Sequence, residues 1–302
     1  MKVFLSFFFA LILLSSSVWA QPVTIDDLYI NTPSGETDRF AQIEGDDDVI
    51  SYYSGLSDRN GDGTIDRFDL RVGDSFRDYG NFVATELRTL WGIQVDDKNM
   101  NTDWELTLVW ENLAGTITEI TTDSIKGEYT SGTFYLYIDY SPDADDGVSG
   151  SPFEYYDGTN VQMDTDSGFN DGFLVLQGTI IGGQAEAPLH TIIGNPARTA
   201  SLLAQITYVD TNYIASDSFD LGQLVTLNML LGIASESAEA DALHWIDGNI
   251  ANNYGWTDKI AQYGEGDATL KIQAVPEPGT VLLVGSGLFL TSYLARRKLG
   301  RK

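Results

Sequence analysis

The 302-residue chain has no cysteine, so neither disulfides nor thiol chemistry can enter its account. Outside a reducing compartment its stability must then come from the core or from bound ions. Histidine is nearly as scarce. His190 and His244 are the only two, and neither stands in H-E-x-x-H or another metal-ligand spacing. His244-Trp245 beside Asp247 reads as a polar–aromatic turn rather than a catalytic group. There is no P-loop and no dinucleotide glycine fingerprint. Gly285-Ser286-Gly287 lies inside an apolar run, where a nucleophile elbow has no strand or helix to sit between. Basic residues are few, 17 against 44 acids, for a net charge of −27. Six of the 17 crowd the two ends (Lys2, Arg296, Arg297, Lys298, Arg301, Lys302). The chain between them, taken as far as Pro278, therefore keeps 11 basic residues against all 44 acids, a net near −33. Phosphate binding needs clustered Lys and Arg, so nucleic acid and anionic membrane faces are poor partners. Divalent cations, or a matrix held together by them, suit the charge better. A glycosidase needs only two carboxylates about 5–9.5 Å apart, a requirement that so many acids leave open.

Helical periodicity is also sparse; only Ser235–Leu243, with Ala and Glu at helical intervals, reads as a short helix. What the chain does have is strands. Trp104, Leu106, Leu108 and Trp110 recur with a period of two and share one face, and so do Phe134, Leu136 and Ile138 within Thr133–Asp139. Comparable runs occupy Gly172–Ile181, Ser201–Val209, Leu224–Ile233 and Ala268–Ala274, parted by clusters of Gly, Asp, Asn and Ser. Hydrophobic content of 43% and aromatic content of 12% exceed what a disordered chain carries. About 255 residues between the ends suffice for one large β domain. The expected fold is mostly β: an antiparallel β-sandwich or jelly-roll-like domain, two packed sheets suiting roughly twelve strands better than a small barrel. A composition break near Asp210–Asp220 marks a weaker candidate boundary.

The two ends carry addresses. Lys2, an apolar core from Val3 to Leu14 and the small residues before Ala20 make residues 1–20 a signal peptide. At the other end, Val275-Pro276-Glu277-Pro278-Gly279-Thr280 keeps the backbone extended, because each proline fixes its own φ and restricts the residue before it. An uncharged apolar stretch follows, residues 280–295, reaching roughly 24 Å as a helix against a hydrocarbon core of roughly 30 Å. Arg296, Arg297 and Lys298 then hold that end in the cytoplasm. This three-part tail, residues 275–302, resembles the PEP-CTERM sorting signal of Gram-negative bacteria that make extracellular polysaccharide. The resemblance implies export of residues 21–274, transient anchoring in the inner membrane, and an exosortase that reads Pro276, Glu277 and Pro278. Looser likenesses implicate the flocculation-associated branch of these proteins: Val72-Gly73-Asp74-Ser75-Phe76, Tyr79-Gly80-Asn81-Phe82, Gly132-Thr133-Phe134 and Asp171-Gly172-Phe173. That likeness implies a role in aggregation within the polysaccharide matrix.

The sharpest site motif runs from Asp58 to Asp69, D-R-N-G-D-G-T-I-D-R-F-D. Oxygen-bearing side chains fall at loop positions one, three, five, nine and twelve, with Gly63 at six and Ile65 at eight. A calcium ion needs six to eight oxygens at about 2.3–2.6 Å, and this spacing wraps a backbone round one ion. The loop resembles those of dockerins, thrombospondin type 3 repeats and EF-hands. By position, Asp58, Asn60, Asp62, the carbonyl of Thr64, Asp66 and Asp69 are the expected ligands. Asp69 replaces the usual long Glu, and the flanks Val49–Tyr53 and Phe68–Val72 read as strands, so a structural clip is expected rather than a helix-opening switch. The same residues also suit an ion-free Asp/Asn/Gly turn. Asp143–Gly147 and Asp164–Gly168 with Asp171 read first as solvated turns, the alternative being a second ion site if the sheet brings them together. Asp46-Asp47-Asp48 either adds charge near the main loop or ends a strand. Tyr52, Tyr53, Phe153, Tyr155, Tyr156, Tyr254 and Trp256 lie in or near polar turns, where exposed rings could stack on sugars. The sequence thus points to a non-enzymatic, calcium-clasped protein of the envelope or matrix that supports flocculation or biofilm cohesion. The alternative is a carbohydrate-binding module or glycoside-active enzyme at the same address.

Overall fold

The computed structural model describes residues 23–54, 57–61, 69–122, 124–140, 170, 172–188, 198–218, 220–221, 226–233, 244–246 and 260–274. Thr24–Gln273 forms one compact unit. In chain order the strands are β1 (Val23–Thr24), β2 (Leu28–Thr32), β3 (Gly35–Glu36), β4 (Gln42–Ser54), β5 (Ser75–Arg88), β6 (Glu105–Ile120) and β7 (Ser124–Asp139). They continue as β8 (Phe173–Pro188), β9 (Arg198–Val209), β10 (Ile214–Ser216), β11 (Thr226–Ile233), β12 (His244–Ile246) and β13 (Ile260–Ala274). The signal peptide, the helix expected at Ser235–Leu243 and the sorting tail lie outside the described residues.

The expected class is found: the chain is mostly antiparallel β. Its strands reach that class through one curled sheet rather than two sheets laid face to face. Each strand from β4 to β9 pairs with the next, β11 follows β9, β13 follows β11, and β13 also pairs with β4. The ladder Ile260↔Tyr53 through Leu270↔Ile43 joins the last strand to β4, so the path closes. Closure leaves no long edge among these strands to recruit another chain. Register shifts at Glu44/Gly45, Asp78/Gly80, Glu111/Ala114 and Ile180/Gly182 bend the long strands as a curled sheet requires. This curvature is what separates a closed sheet from a sandwich, and alternation alone cannot report it. No lobe boundary falls at Asp210–Asp220, which is part of the same unit.

The inner face fills by complementarity of large and small. One row across the strands reads Asp47, Phe82, Leu108, Leu136, Leu176. Another reads Val49, Gly80, Trp110, Phe134, Gly178, Ile206, and a third Tyr53, Phe76, Gly115, Tyr129, Gly183. Glycines stand where rings need room: a Cβ on Gly178 would come within 2.4 Å of the Phe134 ring. Phe76 meets Tyr129 edge-on at 5.3 Å between centroids and Tyr53 at 6.3 Å. Asp78 is buried among them and accepts a hydrogen bond from the Tyr129 hydroxyl. The Asp46–Asp48 triplet lies within β4, not at its end, with Asp47 buried.

At one end a small sheet, β10-β2-β3, covers the interior. Leu28, Ile214 and Leu221 face Leu176, Ile206, Val209 and Ile272 around a small apolar cavity. Arg39 ties this region by a two-point ion pair to Asp217 and by its guanidinium 3.9 Å over the Tyr29 ring.

Candidate metal centre

The Asp58–Asp69 segment is the connection between β4 and β5. Its described residues are 58–61 and 69, so Asp62, Thr64 and Asp66 lie outside the described part. Within it the two ends of the loop meet. Asp69 is fully buried, and its Oδ1 accepts the backbone N–H of Arg59 at 2.6 Å and of Asn60 at 3.0 Å. The twelfth position thus reaches back onto the second and third. Asp58 Oδ1 accepts the N–H of Gly61 at 2.6 Å, and Gly61 sits at φ +79°, a left-handed conformation that glycine takes without a Cβ penalty. Asp58 and Asn60 are exposed while Asp69 anchors the base.

A brace that the spacing does not reveal surrounds this loop. The Arg59 guanidinium bonds both oxygens of Asp74, at 2.7 and 2.9 Å, and the Asp69 carbonyl at 3.0 Å. Asp74 Oδ2 also accepts the Arg71 N–H at 2.8 Å. Burial pushes the Asp74 carboxyl up, but the Arg59 and Arg71 bonds outweigh it and hold it below the usual carboxylate range. A depressed folded pKa stabilises fully above the unfolded value near about 3.9 and ceases to do so as pH falls through the folded one. Wild type is therefore expected to exceed Asp74→Asn by about 1–2 kcal/mol at pH 7. Thermal melts at pH 7, 4 and 2.5 should show that difference shrink toward the acid end. A gap as large at pH 2.5 as at pH 7 would contradict the ion pair as its source.

The same brace corrects one expectation. Of the strand expected at Phe68–Val72, Phe68 lies outside the described residues and residues 69–72 are loop and turn, with β5 beginning only at Ser75. Asp74 N–H closes on the Arg71 carbonyl, Gly73 takes φ +96°, and its N–H reaches the Ile117 carbonyl. These turn bonds use the backbone groups that a ladder would need. Val49–Tyr53 is strand, as expected, inside β4.

The donors at the loop ends are carboxylate and amide oxygens, the hard set that calcium takes. Each ionised carboxylate has two oxygens and about four lone-pair sites, so an N–H bond to one oxygen leaves coordination chemically open. Among the described residues no group of three His, Cys, Asp or Glu converges as a metal site; only Asp58 and Asp69 of the loop's four carboxylates are among them.

Of the expected sugar-stacking rings, Tyr53 is buried against Phe76, which removes it from that role. The others lie outside the described side chains, as do His190 and the His244 imidazole. A different aromatic cluster is present. Phe173 stacks on Tyr213 at 5.4 Å and Tyr140 meets both, with Phe173 half exposed. Its members come from three separated stretches of chain, so no local pattern could announce it. Asp210 beside it accepts the N–H and the side-chain amide of Asn212.

The sorting motif follows directly after β13. The PEP-CTERM protein-sorting motif is matched at residues 274–298. No curated protein matches the chain. Pro276, Glu277, Pro278 and the cluster Arg296, Arg297, Lys298 all fall in the matched stretch, which implies export, a C-terminal membrane anchor and processing by an exosortase. Residues 274–298 thus carry a PEP-CTERM protein-sorting motif, and the chain is one that bears this address.

Proposed function

We propose that this is a non-enzymatic protein of the Gram-negative cell envelope or extracellular matrix, clasped by calcium at the β4–β5 connection and supporting flocculation or biofilm cohesion. The observation that carries the reading is the meeting of the loop ends. Buried Asp69 gathers the N–H groups of Arg59 and Asn60, bringing positions one, three and twelve of the calcium-type spacing into one small region. Asp58, Asn60, Asp62, the Thr64 carbonyl, Asp66 and Asp69 are the assigned ligands, and the ion is structural. Its work is to hold a long connection between adjoining strands of a cysteine-free exported domain, where a disulfide would otherwise serve. The acidic surface and the flocculation-like segments around Phe76, Phe82, Phe134 and Phe173 support a place in a cation-bridged polysaccharide matrix.

Sites of this type bind with Kd of about 10⁻⁴–10⁻³ M. At 10 mM calcium the native state should then gain roughly 1.4–2.7 kcal/mol. Melts in calcium and in chelator should differ for wild type and coincide for Asp62→Asn combined with Asp66→Asn. Identical wild-type melts would sink the clasp. The cohesion role is tested separately by deleting the gene: flocculation and retention of matrix polysaccharide should both fall.

A second reading, carbohydrate binding or cleavage, draws on the half-exposed Tyr140–Phe173–Tyr213 cluster. A glycan array with Phe173→Ala as control, alongside an assay for released reducing ends, separates it from the first. Ring-dependent sugar binding would promote it, and sugar release would promote the enzyme form.

A further inference from the structure

A rigid hairpin with an uncharged, apolar tip projects from the end of the unit at which the chain departs toward its sorting tail. Past Val83↔Thr107, the last pair with β6, β5 continues to Arg88 and turns back. The return is fixed by a bridge between Arg88 and Gln94, by Val95 N–H to Leu87 O at 2.9 Å, and by Thr89 N–H to Ile93 O at 2.9 Å. Gln42 clamps the turn from the side, its amide donating to the carbonyls of Thr89 at 3.1 Å and Leu90 at 2.9 Å. Arg88 adds a bond to the Gly92 carbonyl at 3.1 Å. From Thr89 to Val95 there is no charge, yet this rigid tip shows water large apolar side chains: Trp91 is 84% exposed, Ile93 64% and Leu90 41%. A single exposed apolar residue is ordinary; three on one clamped tip form a patch.

Position supplies the occupant. Gln42 pairs with Arg88, and Ile43 pairs with Leu270 on β13. The unit therefore ends, at Gln273, two strands away from the hairpin, about 10 Å at the usual strand spacing. From Gln273 the covalent chain reaches the apolar span at Val281 in eight steps, at most about 29 Å. The end of the unit that carries Trp91 is thus tethered within that reach of the bilayer as long as the tail remains. Trp with Leu and Ile is the composition that sits at the boundary between headgroups and acyl chains. The acidic surface excludes an anionic face and leaves a zwitterionic one.

We propose that Leu90, Trp91 and Ile93 form an interfacial membrane contact, seating this end of the unit in a zwitterionic lipid headgroup layer while the uncleaved tail holds the chain at the membrane. The proposal rests on the sorting tail's address and is independent of the calcium clasp and of any matrix partner.

The absence of cysteine makes a one-site probe simple. The full chain carrying Ile93→Cys with an environment-sensitive fluorophore is reconstituted in phosphatidylcholine vesicles, beside Val72→Cys, which is exposed at the opposite end of β5. The label at position 93 should emit to the blue and be quenched several-fold by lipids bearing a quencher near the glycerol, and the label at 72 should do neither. Adding Trp91→Asp should abolish the quenching while thermal melts remain those of wild type, since that side chain packs against little. Equal, water-like emission at 93 and 72 would overturn the proposal. A blue shift at 93 without lipid-borne quenching would indicate that the tip packs against a second copy of this chain rather than lipid, and would overturn it equally.

Discussion

Trp104→Ala is expected to cost about 3–5 kcal/mol, the range for emptying a large buried aromatic site. For a domain of this size that lowers the melting temperature by roughly 6–20 °C. Trp104 has no exposed surface, and its ring does two things at once. It fills the base of β6, and its Nε1–H donates to the carbonyls of Asp97 at 3.0 Å and Lys98 at 3.1 Å. Those carbonyls belong to a stretch in which Lys98, Asn99 and Asn101 all take φ near +60°. Non-glycine residues enter that region only when their surroundings force them. Asp97 Oδ1 accepts the N–H of Asn99, Asn101 reaches Ala84 O, and the indole closes the arrangement from below. Alanine would leave both a cavity and two carbonyls without their donor. Trp104→Phe restores most of the volume but not the N–H, so its loss should be near about 1–3 kcal/mol. Urea denaturation of the three proteins orders them directly. Equal stability of the Phe and wild-type forms would mean that the indole bond contributes nothing and the loop is held by its own side chains.

That Trp104 faces inward is legible in the sequence. The alternation Trp104, Leu106, Leu108, Trp110 assigns one face, and all four are buried. Phe134, Leu136 and Ile138 behave the same way. Strand identity depends on a period of two, a local property, so it survives without any tertiary information. Closure does not. Whether β13 returns to β4 depends on bulges at pairs such as Glu44/Gly45, where one residue more or less is invisible to periodicity. The calcium-type loop is legible at its own positions because its spacing is contiguous. Arg59, Asp74 and Arg71 are not, since nothing in Asp58–Asp69 says that position two will reach five residues past position twelve. The start of β5 escapes a local reading for the same reason. Val72-Gly73-Asp74 has strand-like neighbours, but Gly73 at φ +96° and the Asp74–Arg71 turn claim it first. Trp91 is equally silent, because Leu90-Trp91-Gly92-Ile93 is a short apolar run that a local reading would as soon bury; only its hairpin shows that the ring is held outward.

Gly127→Ala and Gly115→Ala should both destabilise, and only the first should be rescued by shortening Phe76. Alanine in a strand is ordinarily favoured over glycine by about 0.5–1 kcal/mol, so any loss must come from space. A Cβ at Gly127 would stand 2.6 Å from the Phe76 ring, with its nearest other neighbour, Thr116 O, at an ordinary 3.5 Å. One at Gly115 would meet the same ring at 2.4 Å and also the Glu128 carbonyl at 2.7 Å. A ring end can withdraw; a carbonyl within a paired strand cannot move without disturbing its ladder. Overpacking of this kind typically costs about 1–3 kcal/mol, and Gly115→Ala belongs at or beyond the upper end. Phe76→Leu by itself should lose about 1–2 kcal/mol, since it surrenders ring contacts with Tyr53 and Tyr129. Combined with Gly127→Ala, however, the loss should be smaller than the sum by at least about 1 kcal/mol, because one change relieves the other. Combined with Gly115→Ala the backbone clash persists, and the two losses should nearly add. Denaturant melts of the single and double variants give both coupling energies. Additivity at Gly127 would mean that the Phe76 ring does not lie across β6 and β7. The alternation of rings and glycines would then not be what lets these long strands curl closely enough for β13 to meet β4.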